Sequence, residues 1–361
     1  MSKKRIGVLN SGGDAPGLNA VIGAIVKTAT EHDYECIGIF KGFEGLLSPV
    51  EYTQLNFKNT WEIIGKGGTI LKSATRGRFP GKVGNGQKIN IDSEVLKEAK
   101  DTIARLKLES LIVIGGDGTL FTASLLAESG VKIIGVPKTI DNDLNDTDKT
   151  FGFNTAVEII VESVDRVRTT ASSHDRVFFI ETMGRHAGWL ALFSGVAAEA
   201  DLILLPEFEF SFEKIIEKMR LNRQLGKHYQ IVIVAEGAQS KGSKVYKATL
   251  EKQENIFGGI SAVVINEIGK ITGDEFEMRN LVLGHIQRGG SPNAEDRILA
   301  QRYGEAAVLA AINADYGKMI GLEGNSIKLV DLKTAVEKIK LVGEDHYLVK
   351  SAKNLGISFG N

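Results

Sequence analysis

Short apolar runs, each followed by a glycine-rich loop, recur along the chain. Arg5–Asn10, Leu111–Ile114 and Val131–Val136 are rich in apolar residues, which is typical of strands buried on both faces of a sheet. The segments Leu18–Thr30 and Leu120–Ser129, which follow the first two runs, have helical composition. This alternation of buried strands and helices predicts a parallel sheet that is covered by helices.

The stretch from Leu111 to Asp143 places two loops at one edge of that sheet. Its two strands are joined by a helix, and such crossovers are right-handed, so the strands run parallel and end at the same edge. Gly115–Thr119 follows the first strand and Pro137–Asp143 follows the second. Doubly wound folds bind ligands at the carboxyl ends of their strands. The glycines and carboxylates of these loops therefore predict a site for a polyphosphate and a cation.

A third glycine-rich loop, Ser11–Gly17, links the first strand to the first helix. Backbone N–H groups and the positive end of a helix dipole converge at such a place, which suits an anion. The spacing matches neither the dinucleotide GxGxxG pattern nor the Walker pattern. A tight turn without a ligand is an equal alternative for this loop taken alone. Ile64–Arg78 is also rich in glycine and basic residues, and Arg76 could bond phosphate, although a solvated loop is favoured for that segment alone.

The second half of the chain repeats the alternation. Arg176–Glu181, Ile231–Ala235 and Glu277–Leu283 are predicted strands, and a glycine-containing loop follows each of them. Helical patterns such as that of Phe212–Leu225 lie between the strands. The sequence thus predicts an α/β protein of two Rossmann-like, three-layer lobes with mostly parallel sheets and a cleft between them.

Domain boundaries are predicted in short loops, because no long linker or low-complexity segment interrupts the chain. The larger lobe would comprise residues 1–152 and about 288–337, and the smaller lobe residues 153–287 and about 338–361. Two stretches are predicted as irregular: Phe79–Gln87 is a turn-rich excursion, and Lys241–Glu254 is a charged mixture of loop and helix.

Composition adds limits to this picture. The chain has 361 residues, is 43% hydrophobic and 25% charged, and has a net charge of −1, so no basic surplus points to nucleic acid. The single cysteine, Cys36, cannot form an internal disulfide and is predicted to be buried in a protein of a reducing compartment. The N-terminus lacks the apolar core of a signal peptide, and no apolar run approaches the roughly 20 residues that span a bilayer. A cytoplasmic protein without membrane contact is expected.

Together, the loops predict a phosphoryl transfer. Asp117 is a candidate ligand for Mg²⁺, which commonly uses one or two carboxylates plus substrate phosphates. Asp141 is the candidate base for an acceptor hydroxyl, with Asp143 beside it. The alternative for these two is a polar turn in which Asn142 makes an Asx-type bend. Three arginines could grip a phosphorylated sugar or acid: Arg185, Arg279 and Arg288.

Five motifs make the chain resemble the 6-phosphofructokinase family over nearly its whole length. Each alone is weak, since Gly-Gly-Asp-Gly-Thr also occurs in lipid and NAD kinases, but all five in this order are highly specific. They are Gly12–Asn19, Gly115–Thr119, Pro137–Asp143, Glu181–Arg185 and Leu283–Pro292. The resemblance implies a bacterial-type glycolytic enzyme that transfers phosphate, with Mg²⁺, from ATP to the 1-hydroxyl of fructose 6-phosphate.

The resemblance also implies roles for individual residues. Asp141 would accept the proton of the sugar hydroxyl, with Thr139 and Arg185 in the catalytic group, and Asp117 would serve Mg²⁺. In the larger, nucleotide-binding lobe the nucleotide would contact Gly13, Arg76, Gly118, Thr119 and Lys138. Fructose 6-phosphate, mainly in the smaller lobe, would contact Asp143, Arg176, Met183, Gly184, Arg185, Glu236, Arg279, His285 and Arg288.

Quaternary structure and regulation follow from the same resemblance. Arg176 and Arg279 match positions that reach the sugar phosphate from a neighbouring subunit, so a homo-oligomer is implied, with a tetramer favoured over a dimer. Allosteric bacterial members have an arginine where this chain has Gly23. A weak or absent response to the usual effectors is therefore expected.

The phosphoryl donor depends on two positions. In the family, glycine at the position of Gly118 leaves room for the α-phosphate of ATP, whereas aspartate there favours pyrophosphate. Lys138 is typical of pyrophosphate-dependent members, although glycine with lysine also occurs in ATP-dependent ones. A missing side chain creates space while a flexible lysine can move aside, so ATP is the predicted donor and pyrophosphate the alternative. The loop Lys72–Arg78 is longer than usual, so either Arg76 or Arg78 could contact the phosphates.

Two functions of other classes are alternatives. The first is a sugar-phosphate sensor that has lost catalysis, against which the intact Asp117, Asp141 and Arg185 argue. An NAD-dependent oxidoreductase would need the dinucleotide fingerprint and an acidic ribose ligand at its spacing, and the sequence has neither.

Overall fold

Parallel strands alternating with helices dominate the computed structural model, which describes residues 3–79, 90–242 and 259–361. The predicted irregular stretches at Phe79–Gln87 and Lys241–Glu254 lie almost wholly outside these residues. Contacts divide the chain into two units. Unit 1 comprises Met1–Thr155 and Arg288–Ile339, and unit 2 comprises Ala156–Gln287 and Lys340–Asn361.

The described strands, in chain order, are β1 (Lys4–Asn10), β2 (Tyr34–Ile39), β3 (Tyr52–Leu55), β4 (Leu108–Gly115), β5 (Ile133–Pro137), β6 (Val177–Thr182), β7 (Leu202–Leu204), β8 (Gln230–Ala235), β9 (Met278–Val282), β10 (Lys318–Glu323) and β11 (Ser326–Asp331). The described helices are α1 (Leu18–Glu31), α2 (Ser93–Arg105), α3 (Asp117–Glu128), α4 (Phe153–Ser173), α5 (Trp189–Ala197), α6 (Phe212–Gln224), α7 (Ile260–Thr272), α8 (Ala294–Ile312), α9 (Leu332–Ala335) and α10 (Tyr347–Asn354). Gly42–Leu46 and Gly284–Arg288 are 3₁₀ turns.

Unit 1 is built on a seven-stranded sheet in the order β11-β10-β5-β4-β1-β2-β3. The inner strands pair in parallel, while β3 and β11 run antiparallel to their neighbours. One face packs Ile6 and Val8 against α1 and α8, and the other packs Val113 against α2 and α3. Because β1 and β4 are buried on both faces, their sequences are continuous apolar runs rather than alternating ones.

Unit 2 has a four-stranded parallel sheet in the order β7-β8-β6-β9. Val177 and Phe179 of β6 point to the face covered by α6 and α7, where Met219 and Val264 complete an apolar core. Both units are therefore α/β structures with mostly parallel sheets, which confirms the predicted fold class.

Three details differ from the sequence prediction. The strands β3 and β10 were not predicted, because β3 is a half-exposed edge strand and Gly321 interrupts the apolar pattern of β10. The helix α3 begins at Asp117 rather than at Leu120. An aspartate in the first turn of a helix interacts favourably with the helix dipole, so the first turn of α3 includes the acidic loop residue.

Two smaller predictions concern burial and membranes. Cys36 is buried, as predicted, and burial raises the pKa of its thiol to about 12. Among the described helices none combines the length and apolar character that crossing a bilayer requires.

Candidate active site

Three loops of unit 1 meet where β1, β4 and β5 end. Asn10 is paired with Ile114, and Gly115 with Pro137, so the carboxyl ends of the three strands lie side by side. We call the loops L1 (Ser11–Gly17), L2 (Gly115–Thr119) and L3 (Pro137–Asp143). The strand order reverses between β4 and β1, which is the position where doubly wound sheets bind ligands.

The three loops touch one another closely. The backbone N–H of Lys138 in L3 donates to the carbonyl of Gly115 in L2 at 2.9 Å. Gly12 has φ 80, a backbone conformation that favours glycine, and a Cβ there would make a tight contact of 3.0 Å with the hydroxyl of Thr119. A Cβ on Gly115 would lie 2.3 Å from the Cβ of Thr119, so a side chain there would force L2 to shift. These glycines let backbone N–H groups of two loops converge, as binding of a polyphosphate requires.

The last three residues of L2 form the first turn of α3. Asp117, Gly118 and Thr119 lie in its first turn, and the N-cap residue, Gly116, makes no side-chain cap hydrogen bond. The first N–H groups of a helix have no partners within the helix, so this end can bind an anion. Thr119 is 7% exposed.

Asp117 is the carboxylate of L2, and it lies in the first turn of α3. No group of three or more histidine, cysteine, aspartate or glutamate side chains in the described residues could hold a metal by itself. A single carboxylate beside a phosphate cradle fits Mg²⁺, which takes its remaining ligands from phosphates and water.

Asp141 is buried in L3 with one unpaired oxygen. Its side chain is 5% exposed, and its Oδ1 atom has no hydrogen-bond partner among the described residues. The backbone N–H of Asp141 donates to the hydroxyl of Thr139 at 3.0 Å, and the carbonyl of Thr139 accepts from the hydroxyl of Thr150 at 2.7 Å. A buried acceptor without a donor is costly, so this oxygen is suited to receive a hydroxyl group of a ligand.

Asn142 was predicted to make an Asx-type bend, in which a side chain bonds the backbone two residues on, but its side chain bonds residues farther along the chain. Asn142 has φ 51, and its Oδ1 accepts from the N–H of Thr150 at 3.1 Å. The neighbouring Asp143 is 8% exposed. Asn142 therefore ties L3 to the segment around Thr150, next to the unpaired carboxylate oxygen of Asp141.

Lys138 is 3% exposed, and its ammonium group donates to backbone carbonyls of L1. Burial lowers the pKa of Lys138 to about 8, and the charge of Arg288 acts in the same direction. Asp14 and Asp141 oppose this shift of the pKa. Lys138 is thus a buried ammonium group that is held by the carbonyls of L1.

The segment after Leu71 runs beside L1 and distinguishes two arginines. The N–H of Gly12 donates to the carbonyl of Ala74 at 3.1 Å. Arg78 is turned to α2, where it pairs with Glu98 at 2.9 Å. Arg76, two residues after Ala74, is exposed. Of the two candidates for a phosphate contact, Arg76 is therefore the better placed.

Unit 2 gathers a second set of predicted residues at the ends of β6 and β8. The N–H of Arg185 donates to Glu236 at 2.9 Å, and Arg185 has φ 51. A Cβ on Gly237 would lie 2.0 Å from the carbonyl of Arg185, so only glycine fits there. The N–H of Met183 donates to Gln287 at 3.2 Å.

Gln287 connects this set to the 3₁₀ turn that contains His285. Its side-chain amide donates to the carbonyl of Gly284 at 2.9 Å, and Gln287 itself is fully buried. His285 is exposed beside it. Gly184, with φ 135, allows the turn after β6. Gln287 was not predicted from the sequence, although its place between His285 and Arg288 could have indicated it.

Arg176 and Arg279 are not part of that set. Both pair with the same oxygen of Glu277, Arg176 at 2.7 Å. Arg176 precedes β6 whereas Met183 follows it. Because a strand rises about 3.3 Å per residue, Arg176 and Met183 are about 20 Å apart. Arg288 lies in unit 1, where its guanidinium donates to the carbonyl of Asp14 at 3.1 Å.

A doubly wound α/β fold with a glycine-built anion cradle and a buried carboxylate defines a phosphate-handling class of protein. The phosphofructokinase family matches residues 5–311 of the chain. An ATP-dependent 6-phosphofructokinase of Chloroflexus aurantiacus is 46% identical over 360 residues, which cover 99% of this chain and 98% of that protein. A pyrophosphate–fructose 6-phosphate 1-phosphotransferase of Amycolatopsis methanolica is 42% identical over 348 residues, which cover 95% of this chain and 97% of that protein.

Solved structures agree with these matches. The phosphofructokinase structure from Saccharomyces cerevisiae aligns with a TM-score of 0.80 at 28% identity and covers 98% of this chain. This chain spans 47% of that yeast chain. The chain belongs to the phosphofructokinase family, which confirms the resemblance seen in the five sequence motifs.

Proposed function

We propose that the protein is an ATP-dependent 6-phosphofructokinase of cytoplasmic glycolysis, which converts fructose 6-phosphate and ATP to fructose 1,6-bisphosphate and ADP. The observation that carries this proposal is the buried Oδ1 atom of Asp141, which has no donor among the described residues and lies in a loop packed against the phosphate cradle. Family membership supports the same activity.

Unit 1 would bind the phosphoryl donor. The N–H groups of L1 and of the amino end of α3, at Gly13, Gly118 and Thr119, would contact the phosphates, with Arg76 adding charge from the neighbouring segment. Lys138 would add a buried positive charge. Asp117 would hold Mg²⁺, and that ion neutralises charge on the transferring phosphate when it is bound.

Asp141 would act as the general base. Its unpaired oxygen would accept the proton of the 1-hydroxyl of the sugar as the oxygen attacks the terminal phosphate. Thr139 would fix the backbone of Asp141 through the hydrogen bond described above. The low exposure of Asp141 would keep water from competing for this oxygen.

Fructose 6-phosphate would be bound mainly by unit 2, through Met183, Gly184, Arg185, Glu236 and His285. The family resemblance also assigns Asp143 and Arg288 to fructose 6-phosphate, and Arg185 would also assist catalysis. Arg176 and Arg279 are far along the sheet from Met183, which supports the expectation that they serve the site of another copy. A homo-oligomer, with a tetramer favoured, would satisfy this requirement.

ATP is the proposed donor and pyrophosphate the second candidate. Gly118 carries no side chain in the first turn of α3, which would leave space for the rest of a nucleotide. Lys138 and the Amycolatopsis relative favour pyrophosphate. The ammonium of Lys138 is engaged by L1, however, which weakens that argument.

Formation of fructose 1,6-bisphosphate by the purified protein, with MgATP or with magnesium pyrophosphate as the donor, tests the proposal. We expect turnover with ATP and at least about 100-fold lower kcat/KM with pyrophosphate. Turnover with pyrophosphate alone would overturn the choice of donor. Binding of fructose 6-phosphate without turnover of either donor would instead favour the sensor.

A further inference from the structure

The backbone carbonyls of L1 are held one after another by side chains from other segments. The ammonium of Lys138 donates to the carbonyls of Ser11, at 3.4 Å, and of Gly13. The hydroxyl of Ser73 donates to the carbonyl of Gly12 at 2.6 Å. The guanidinium of Arg288 donates to the next carbonyl, that of Asp14, at 3.1 Å. Each carbonyl from residue 11 to residue 14 therefore has a fixed donor.

Fixing a carbonyl also fixes the N–H group of the following residue. The peptide unit is planar and trans, so its C=O and N–H bonds point in opposite directions. The carbonyl of Ser11 faces Lys138, and the N–H of Gly12 accordingly faces the carbonyl of Ala74. By the same rule, the donors to Gly13 and Asp14 set the directions of the next two N–H groups. An anion cradle made of backbone N–H groups requires that the directions of these N–H groups are fixed.

Lys138 holds two of these four carbonyls and is also tied to the remaining loops. It belongs to L3, and its backbone N–H donates to Gly115 of L2 at 2.9 Å. Its side chain is almost wholly buried, against the carbonyl side of L1. L1 lies far from the other two loops in the sequence, since Gly13 and Lys138 are 125 positions apart.

We propose that Lys138 is a positioning residue that holds L1 in its anion-binding shape from the carbonyl side, rather than an arm that contacts the phosphoryl donor. The identity of the donor rests on the proposed function, but the role of Lys138 in shaping L1 does not. It follows that a lysine at this position does not by itself make the site pyrophosphate-dependent.

Hydrogen–deuterium exchange of the ligand-free full chain tests this role without any nucleotide. The variant Lys138→Met removes the donor group and keeps the length of the side chain, and Lys97→Met, an exposed lysine on α2, is the matched control. We expect exchange of the L1 amides to become about 10-fold faster in Lys138→Met and to stay unchanged in Lys97→Met. We also expect the dissociation constant for ATP to rise about 10-fold.

Unchanged exchange in L1 together with weaker ATP binding would overturn the proposal, because the ammonium would then contact the donor directly. Unchanged exchange with unchanged binding would overturn it as well. If Lys138→Met does not fold, as judged by circular dichroism, Lys138→Gln is measured against the same criteria. Loss of folding in both variants would also contradict the proposal, which confines the effect to L1. If the wild-type protein did not bind ATP, the proposed function would fail. The exchange experiment would still test the role of Lys138, because it is done without a ligand.

Discussion

The candidate residues of the two units differ in how they are held. In unit 1 they are largely backbone groups and buried side chains, and Lys138, Asp141 and Thr119 are all less than 9% exposed. In unit 2 the charged candidates Arg185 and His285 are exposed at the ends of strands. The first arrangement is fixed by the fold itself, whereas the second places its charged side chains at the protein surface.

This difference fits the roles proposed above for the two units. Stabilisation of charge during phosphoryl transfer depends on groups that are already oriented, because reorientation during the reaction would cost free energy. Recognition of a sugar phosphate can instead use arginines that become ordered on binding. The comparison therefore predicts large catalytic effects from small changes in unit 1 and effects on substrate binding from changes in unit 2.

The largest effect should follow from Asp141→Asn. The amide keeps the size of the side chain but cannot accept the proton of the sugar hydroxyl, so kcat should fall about 1,000-fold, within the usual range for a general base. Binding of fructose 6-phosphate, measured by calorimetry, should change little. Asp146→Asn, the same change at an exposed residue nearby, is the control. A kcat within threefold of wild type for Asp141→Asn would remove Asp141 as the base.

A second change, Gly118→Asp, adds a carboxylate to the first turn of α3. Repulsion between this carboxylate and the nucleotide phosphates should raise the KM for ATP about 100-fold, since juxtaposed like charges cost several kcal/mol. The KM for fructose 6-phosphate should stay near its wild-type value. Gly118→Ala adds volume without charge, so it separates the effect of charge repulsion from the effect of lost space. Equal ATP kinetics for Gly118→Asp and wild type would place the nucleotide elsewhere.

In unit 2 the variant that corresponds to Gly118→Asp is Gly237→Ala. Because the new Cβ would meet the carbonyl of Arg185 at 2.0 Å, the turn that carries Arg185 must shift. We expect the KM for fructose 6-phosphate to rise about 10-fold while the KM for ATP does not change, as steady-state kinetics would show. Gly343→Ala, where a Cβ would meet nothing within 4 Å, is the matched control. A rise in the KM for ATP instead would contradict the division of labour between the units.

The smallest effect concerns pH and Lys138. Burial lowers the pKa of Lys138 from its ordinary 10.5 to about 8, so the unfolded chain binds this proton more tightly than the folded chain does. The resulting destabilisation is fully present below pH 8 and is lost as the pH rises from 8 to 10.5. The free energy of unfolding of the wild type, minus that of Lys138→Met, should therefore rise by about 1 kcal/mol between pH 7 and 9. Denaturant titrations at both pH values measure this, and a constant difference would show that Lys138 titrates normally.

The sequence predicted the strands β1, β4 and β5 to within a few residues, because burial on both faces requires continuous apolar runs. It also predicted which strand ends carry the loops of the candidate site. The edge strand β3 escaped prediction, since an exposed edge tolerates polar residues. The hydrogen bond from Lys138 to the carbonyl of Gly13 could not be predicted either. It joins positions 125 apart and depends on the register of β1, β4 and β5 in the sheet.

The most direct test of the central claim, that unit 1 binds the donor and the strand ends of unit 2 bind the sugar phosphate, is hydrogen–deuterium exchange with one ligand at a time. MgATP alone should protect the amides of L1 and of the first turn of α3 and leave residues 183–187 unchanged. Fructose 6-phosphate alone should protect residues 183–187 and leave L1 unchanged. Protection of residues 183–187 by MgATP, with no change in L1, would contradict the account.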